Sequence, residues 1–193
     1  EYIVNNYGGY WPVRIKSAPE GLTIPTRNIL LSIENTDENC AWVTTYVEGL
    51  VMKVWYTTTV ATISRNIKKL IKKYLDETGD VSGLPYKLHD FGYRGVSSEE
   101  SAMLGGMSHL VNFNGSDTIL GIVAAQMYYD AVNPAATIPA AEHSTIMAWG
   151  REFEYEAYEN MVNQFSDGTY AVVSDTYDIY NATKNIWGDM LVN

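Results

Sequence analysis

Four short clusters in this sequence could do chemistry: His89 to Arg94, Ser116 with Asp117, Glu142 with His143, and Ser174 with Asp175. Each sets polar or ionisable residues directly after an apolar run. In an α/β barrel the active site forms at the carboxyl ends of the strands, so these clusters mark the expected site. Other chemistries find little support. The three histidines lie far apart and lack the HExxH spacing of a zinc site. The sequence contains no GxGxxG or GxxxxGK[ST] phosphate loop and no GxSxG nucleophile elbow.

Each cluster also has a structural explanation. Arg94 could tie a strand end to a carboxylate. Asp117 follows Gly115-Ser116 and could serve a turn or a helix cap. Asp175 could cap a helix, and His143 could be a satisfied core histidine. His109 falls inside a helix and reads as structural.

The elements that must position these residues follow from periodicity. Residues 1–34 read as β-rich, with apolar alternation around Val13 and Ile15, Leu22 and Ile24, and Ile29 to Ile33. Residues 37–78 read as two helices. Asp37 would cap the first, running to about Met52. The second carries Val60, Ile63, Ile67, Leu70, Ile71 and Tyr74 on one face, with Gly79 as its stop. Lys68, Lys69, Lys72 and Lys73 would form a solvated opposite face.

From residue 84 the pattern becomes strand then helix, repeated about four times. The expected strands are Tyr86-Lys87-Leu88, Val111-Asn112-Phe113, Thr137-Ile138-Pro139 and Tyr170 to Val173. Ser97-Ser98-Glu99-Glu100 resembles a capping box for a helix carrying Met103, Met107, Leu110 and Val111 on one face. Ser144 would cap one long helix to Phe165. The fold class is therefore α/β, a partial, irregular (β/α) barrel behind a short β-rich segment and two helices. Residues 1–36 are expected to be the remnant of an N-terminal domain, and residues 37–193 the helical connection and partial barrel.

Composition narrows the function. The 193 residues are 46% apolar and 19% charged, a globular balance, with fifteen Tyr and five Trp. The net charge of -10 argues against nucleic acid, whose binders supply a basic face. The single cysteine, Cys40, precludes an internal disulfide and fits a reducing, cytoplasmic setting. No apolar run reaches the length of a membrane span. The chain opens on Glu1, and four units cannot close an eight-stranded barrel, so a central fragment of a longer protein is expected.

Three blocks resemble the nicotinamide phosphoribosyltransferases. They are Tyr86-Lys87-Leu88-His89-Asp90-Phe91-Gly92-Tyr93-Arg94-Gly95-Val96-Ser97-Ser98, then Pro139 to Ile146 with Ala148-Trp149-Gly150, then Val172-Val173-Ser174-Asp175 through Tyr177 to Ala182. Pro19-Glu20-Gly21 and Glu34-Asn35-Thr36-Asp37 also fit, so the likeness runs through nearly the whole chain in order. It implies a homodimeric α/β-barrel enzyme that joins nicotinamide to phosphoribosyl pyrophosphate, with ATP and Mg2+. Phe91 matches a ring that stacks on nicotinamide, opposite a Tyr of the partner subunit. Arg94 matches a contact to the amide and the phosphoribosyl group. Asp117 matches the acceptor of the nicotinamide NH2, which would disfavour nicotinate. His143 matches a histidine phosphorylated by ATP, and Asp175 an acid near it. The sequence departs from the family at Ala171, where Ser is common. The alternatives are a nicotinate phosphoribosyltransferase and a catalytically inactive binding or dimerising scaffold. The family's opening strands and remaining phosphate-binding residues would lie outside residues 1–193, so the isolated chain is expected to be inactive.

Overall fold

The computed structural model describes residues 1–191; the last two positions of the expected barrel segment lie outside the described residues. The chain divides into two units, Glu1–Pro134 and Ala135–Asn193.

The first unit begins with helix α1 (Tyr2–Tyr7) and the antiparallel hairpin β1 (Val13–Ser17) and β2 (Leu31–Asn35). The expected run at Leu22 and Ile24 is not a strand but part of the loop joining β1 to β2. Asp37 ties both ends of α1, where β structure was expected, to the chain beyond β2. Its carboxylate accepts from the hydroxyls of Tyr2 and Tyr7, each at 2.8 Å, and from the Asn39 N–H at 2.8 Å. These bonds hold the Asp37 carboxyl below its ordinary range and push the Tyr7 hydroxyl up to about 12. Asp37 thus caps a 3-10 turn at Glu38–Cys40, not a long helix.

Helix α2 (Val43–Thr78) replaces the two helices expected there. The helix runs unbroken through Thr57-Thr58-Thr59-Val60, although β-branched residues disfavour helices. In the fold their hydroxyls turn inward along the helix. Thr57 donates to the Val54 carbonyl at 2.7 Å, and Thr59 to that of Trp55 at 3.1 Å. Val43 and Val47 pack with Cys40, Val13 and Ile33 against the hairpin. Farther along, Lys68 is not on a solvated face. Its ammonium donates to the Asn112 carbonyl and sits 5.6 Å from the centre of the Phe113 ring. Ile63, Leu70 and Tyr74, expected to be core, are exposed. Gly79 ends the helix in an extended conformation.

Beyond α2 the α/β pattern holds, with the strands displaced. They are β3 (His89–Asp90), β4 (Gly115–Ser116), β5 (Ala140–Ala141) and β6 (Ala171–Val172). β3 pairs in parallel with β4 in the first unit, and β5 with β6 in the second. Helix α3 (Glu99–His109) joins the first pair; α5 (His143–Trp149) and α6 (Glu154–Gln164) join the second. Tyr86 lies in a 3-10 turn containing Pro85, so β3 starts later. Phe113 is wholly buried as an anchor and leaves the strand to Gly115-Ser116.

Ser98 caps α3 by accepting from the Ser101 N–H, so Glu99 and Glu100 favour the helix dipole without completing a capping box. The buried face of α3 is Ala102, Gly106 and His109, while Val111 is exposed. Helix α4 (Ile119–Tyr129) lies directly on it. A Cβ added at Gly121 would come within 2.6 Å of the Gly106 backbone. The long helix expected after Ser144 is broken at Gly150, whose φ of 86° is a glycine conformation. α5 starts at His143, with the Glu142 carbonyl accepting from the Thr145 and Ile146 N–H groups.

The second unit ends in α7 (Ile179–Asn181) and a π-helix (Ala182–Met190). Its core joins Ala141, Ile146, Ala157, Tyr158, Ala182 and Ile186.

The α3–α4 contact makes a specific demand. Gly121→Ala should destabilise the protein by about 1–3 kcal/mol through overpacking. Gly49→Ala, with open space around an α2 position, should stabilise by about 0.5–1 kcal/mol. Urea denaturation of the two variants checks both signs.

Candidate active site

In the first unit, β3 and β4 carry the candidate residues at their carboxyl ends. The Asp117 N–H donates to the Asp90 carbonyl at 2.7 Å, which extends the ladder by one residue and fixes Asp117 beside the start of the β3 loop. Asp117 is no cap: α4 begins after Thr118. The loop itself is shaped by Asp90, whose carboxylate accepts from the Gly92 N–H at 2.9 Å. That turn exposes the ring of Phe91, which is 64% accessible. Arg94 follows in the 3-10 turn Gly92–Gly95, also exposed.

His89 joins these parts. Its Nε2 lies 3.0 Å from Oδ1 of Asp117, and its ring stacks on Phe91 with centroids 6.2 Å apart and planes 29° from parallel. Both exposed candidates thus meet one partly buried imidazole. Both His89 and Asp90 fall in the first cluster marked in the sequence, but neither was given a role of its own there. The two-residue spacing from His89 to Phe91, which places both on one side of an extended chain, is the signal that could have found His89.

His109 is structural, as expected. It is buried, its Nε2 lies 3.0 Å from the Gly115 carbonyl, and its ring stacks on Phe113.

In the second unit, His143 and Asp175 meet. Nε2 of His143 is 2.8 Å from Oδ1 of Asp175, and both side chains are largely exposed. His143 is therefore not a core histidine. Asp175 does not cap a helix either; Asp178 does that, accepting from the Tyr180 and Asn181 N–H groups. The segment before Asp175 is braced. Ser174 donates to the Val172 carbonyl at 3.1 Å and accepts from Trp187 Nε1 at 2.9 Å. Trp187 in turn stacks on buried Tyr158 at 5.0 Å. The Tyr158 hydroxyl donates to buried Glu154 at 2.8 Å, and burial with this bond raises its pKa. The hydrogen bond from His143 holds the Asp175 carboxyl below its ordinary 3.8.

Among the described residues, no group of three or more His, Cys, Asp or Glu could enclose a metal ion. Magnesium bound with phosphates needs only one or two protein carboxylates, and Asp175 is an exposed carboxylate of that kind. No described helix is long and apolar enough to cross a membrane.

The site's parallel βα units coincide with a family match. The sequence model of the nicotinate phosphoribosyltransferase (NAPRTase) family matches residues 86–193. The chain belongs to this family. Among curated relatives, a nicotinamide phosphoribosyltransferase of Xanthomonas campestris pv. campestris (strain 8004) is 50% identical over 98% of this chain. Those of Acinetobacter baylyi and Mycoplasma genitalium are each 33% identical, over 89% and 91% of the chain. The chain spans 41%, 35% and 38% of the lengths of these three relatives. The family match takes in all six candidate positions from His89 to Asp175: His89, Phe91, Arg94, Asp117, His143 and Asp175.

The lowered pKa of Asp175 sets a pH window. As pH falls, the unfolded chain takes up this proton first, near 3.8, and the folded protein only below that. The stabilisation from the contact is therefore complete above 3.8 and is lost as pH falls through the folded value. Carbon NMR of the Asp175 carboxyl should show titration below its ordinary value, and His143→Ala should move it back up.

Proposed function

We propose that this chain is the central part of a nicotinamide phosphoribosyltransferase, converting nicotinamide and phosphoribosyl pyrophosphate to nicotinamide mononucleotide and pyrophosphate in NAD salvage. The observation that carries this reading is the placement of Asp117 at the end of β4, beside the exposed ring of Phe91 at the end of β3. A flat aromatic amide fits such a pair: the ring stacks, and the amide NH2 donates to the carboxylate. A nicotinate carboxylate would meet like charge at Asp117. The names of the relatives support the same choice.

Arg94 is assigned to the amide and the phosphoribosyl group, in the turn that follows Phe91. Transfer at the ribose would pass through an oxocarbenium-like state, for which positioning and charge stabilisation are the protein's contribution. His143 is assigned as the residue that takes a phosphoryl group from ATP. With Nε2–H donating to Asp175, the lone pair sits on Nδ1, which can attack the terminal phosphorus while the bond to the bridging oxygen breaks and ADP leaves. Asp175 orients the ring and stabilises the positive charge that develops on it. Magnesium, when bound, would neutralise phosphate charge beside Asp175. The larger setting belongs to the same proposal: a cytoplasmic homodimer, an irregular (β/α) barrel completed by further segments, and residues 1–36 as part of a separate N-terminal domain.

In a protein of the relatives' full length carrying this segment, Asp117→Ser should lower the ratio of kcat/KM for nicotinamide over nicotinate by about tenfold or more. Steady-state assays with both substrates read it, and an unchanged ratio would sink the assignment. Incubation with ATP followed by mass spectrometry should find a phosphate on His143, and none on the His143→Ala variant.

A further inference from the structure

The His89 side chain contacts both proposed nicotinamide contacts. It stands opposite Gly115 in the parallel register, and a Cβ on Gly115 would come within 2.7 Å of its Nδ1. The ring is therefore seated against bare backbone on one edge. On its other edge, Nε2 faces the Asp117 carboxylate at 3.0 Å, and its face supports Phe91. Its side chain is 24% accessible, against 47% for Asp117. An exposed carboxylate at the start of a helix has several rotamers open to it, and freezing one costs side-chain entropy at the moment of binding. A partly buried imidazole that already touches both carboxylate and ring reduces that cost.

We infer that His89 is a positioning residue for substrate selection: it holds the Asp117 carboxylate and the Phe91 ring in the arrangement that tells an amide from a carboxylate. The inference rests on the assignment of Asp117 and Phe91 to nicotinamide. As a positioning residue, His89 is assigned no contact of its own with the substrate. Its loss should therefore act on selectivity and KM, with kcat changing less.

Three variants in a full-length protein carrying this segment separate its parts. His89→Phe keeps a ring against Phe91 but removes the nitrogen facing Asp117. It should lower the nicotinamide-to-nicotinate ratio of kcat/KM by about tenfold, mostly through the nicotinamide KM. His89→Gln carries an amide nitrogen to about the reach of Nε2 and should restore most of the ratio. His89→Asn is too short and should not, so the Gln and Asn pair decides the matter even where the Phe variant does not fold. Equal ratios for wild type and the Asn variant would overturn the inference. So would a Gln variant as poor as Asn, which would mark a purely structural role. Asp117→Ser run alongside keeps the two levels apart. A ratio that responds at Asp117 but not at His89 removes the positioning role alone. A ratio that responds at neither removes both.

Discussion

Gly106 and Gly121 meet backbone to backbone, and the geometry of the first unit depends on that approach. α3 must carry the chain from the end of β3 to the start of β4, and α4 must leave from the end of β4. If either glycine carried a side chain, α4 would be displaced outward and its first turn with it. Thr118 is almost wholly buried at that turn, with its methyl facing Gly106, and Asp117 immediately precedes it. The backbone that carries one carboxylate is thus set by the thickness of a helix contact, and His89 meets the carboxylate upon it.

The second unit solves the same problem with aromatic stacking. Asp175 sits at the end of a two-residue strand, too short to hold it by ladder bonds alone. Trp187 supplies the brace through Ser174, and Tyr158 beneath it is pinned by Glu154. A buried carboxylate is costly unless it is bonded, and this one spends its bond on stiffening the ring stack. The break at Gly150 lets α5 and α6 take separate directions, so α5 can begin at His143 while α6 delivers Tyr158 to the core.

What the sequence disclosed was chemistry more than geometry. Clusters at His89 to Arg94, Ser116-Asp117, Glu142-His143 and Ser174-Asp175 all lie at strands or shortly after them, though the four strands expected beyond residue 84 were misplaced or too long, while the run at Val13 and Ile15 is β1. Phe113 drew its expected strand too early: it is apolar because it is a buried anchor, not because it belongs to a strand, and period alone cannot tell the two apart. Two helices were expected where α2 is one, and Thr57 and Thr59 satisfy their hydroxyls within it. Lys68 looked like part of a solvated run because its partner, a backbone carbonyl at Asn112, has no sequence signature. The role of His89 was half hidden for a related reason: its spacing to Phe91 is local, but its contact with Asp117 depends on the register of β3 against β4.

The continuity of α2 has a consequence for how this segment can vary in length. Val47 is committed to the hairpin cluster at one end, and Lys68 to the Asn112 carbonyl toward the other. Each residue of an α-helix advances the chain by about 100° around the axis. One inserted or deleted residue between Val47 and Lys68 would turn these two faces out of phase by that angle, and only changes close to whole turns would bring them back. The helix behaves as a keyed shaft. Insertions and deletions are disfavoured in its interior and better borne by the loop between β1 and β2, away from Glu20, which accepts from the Tyr129 hydroxyl.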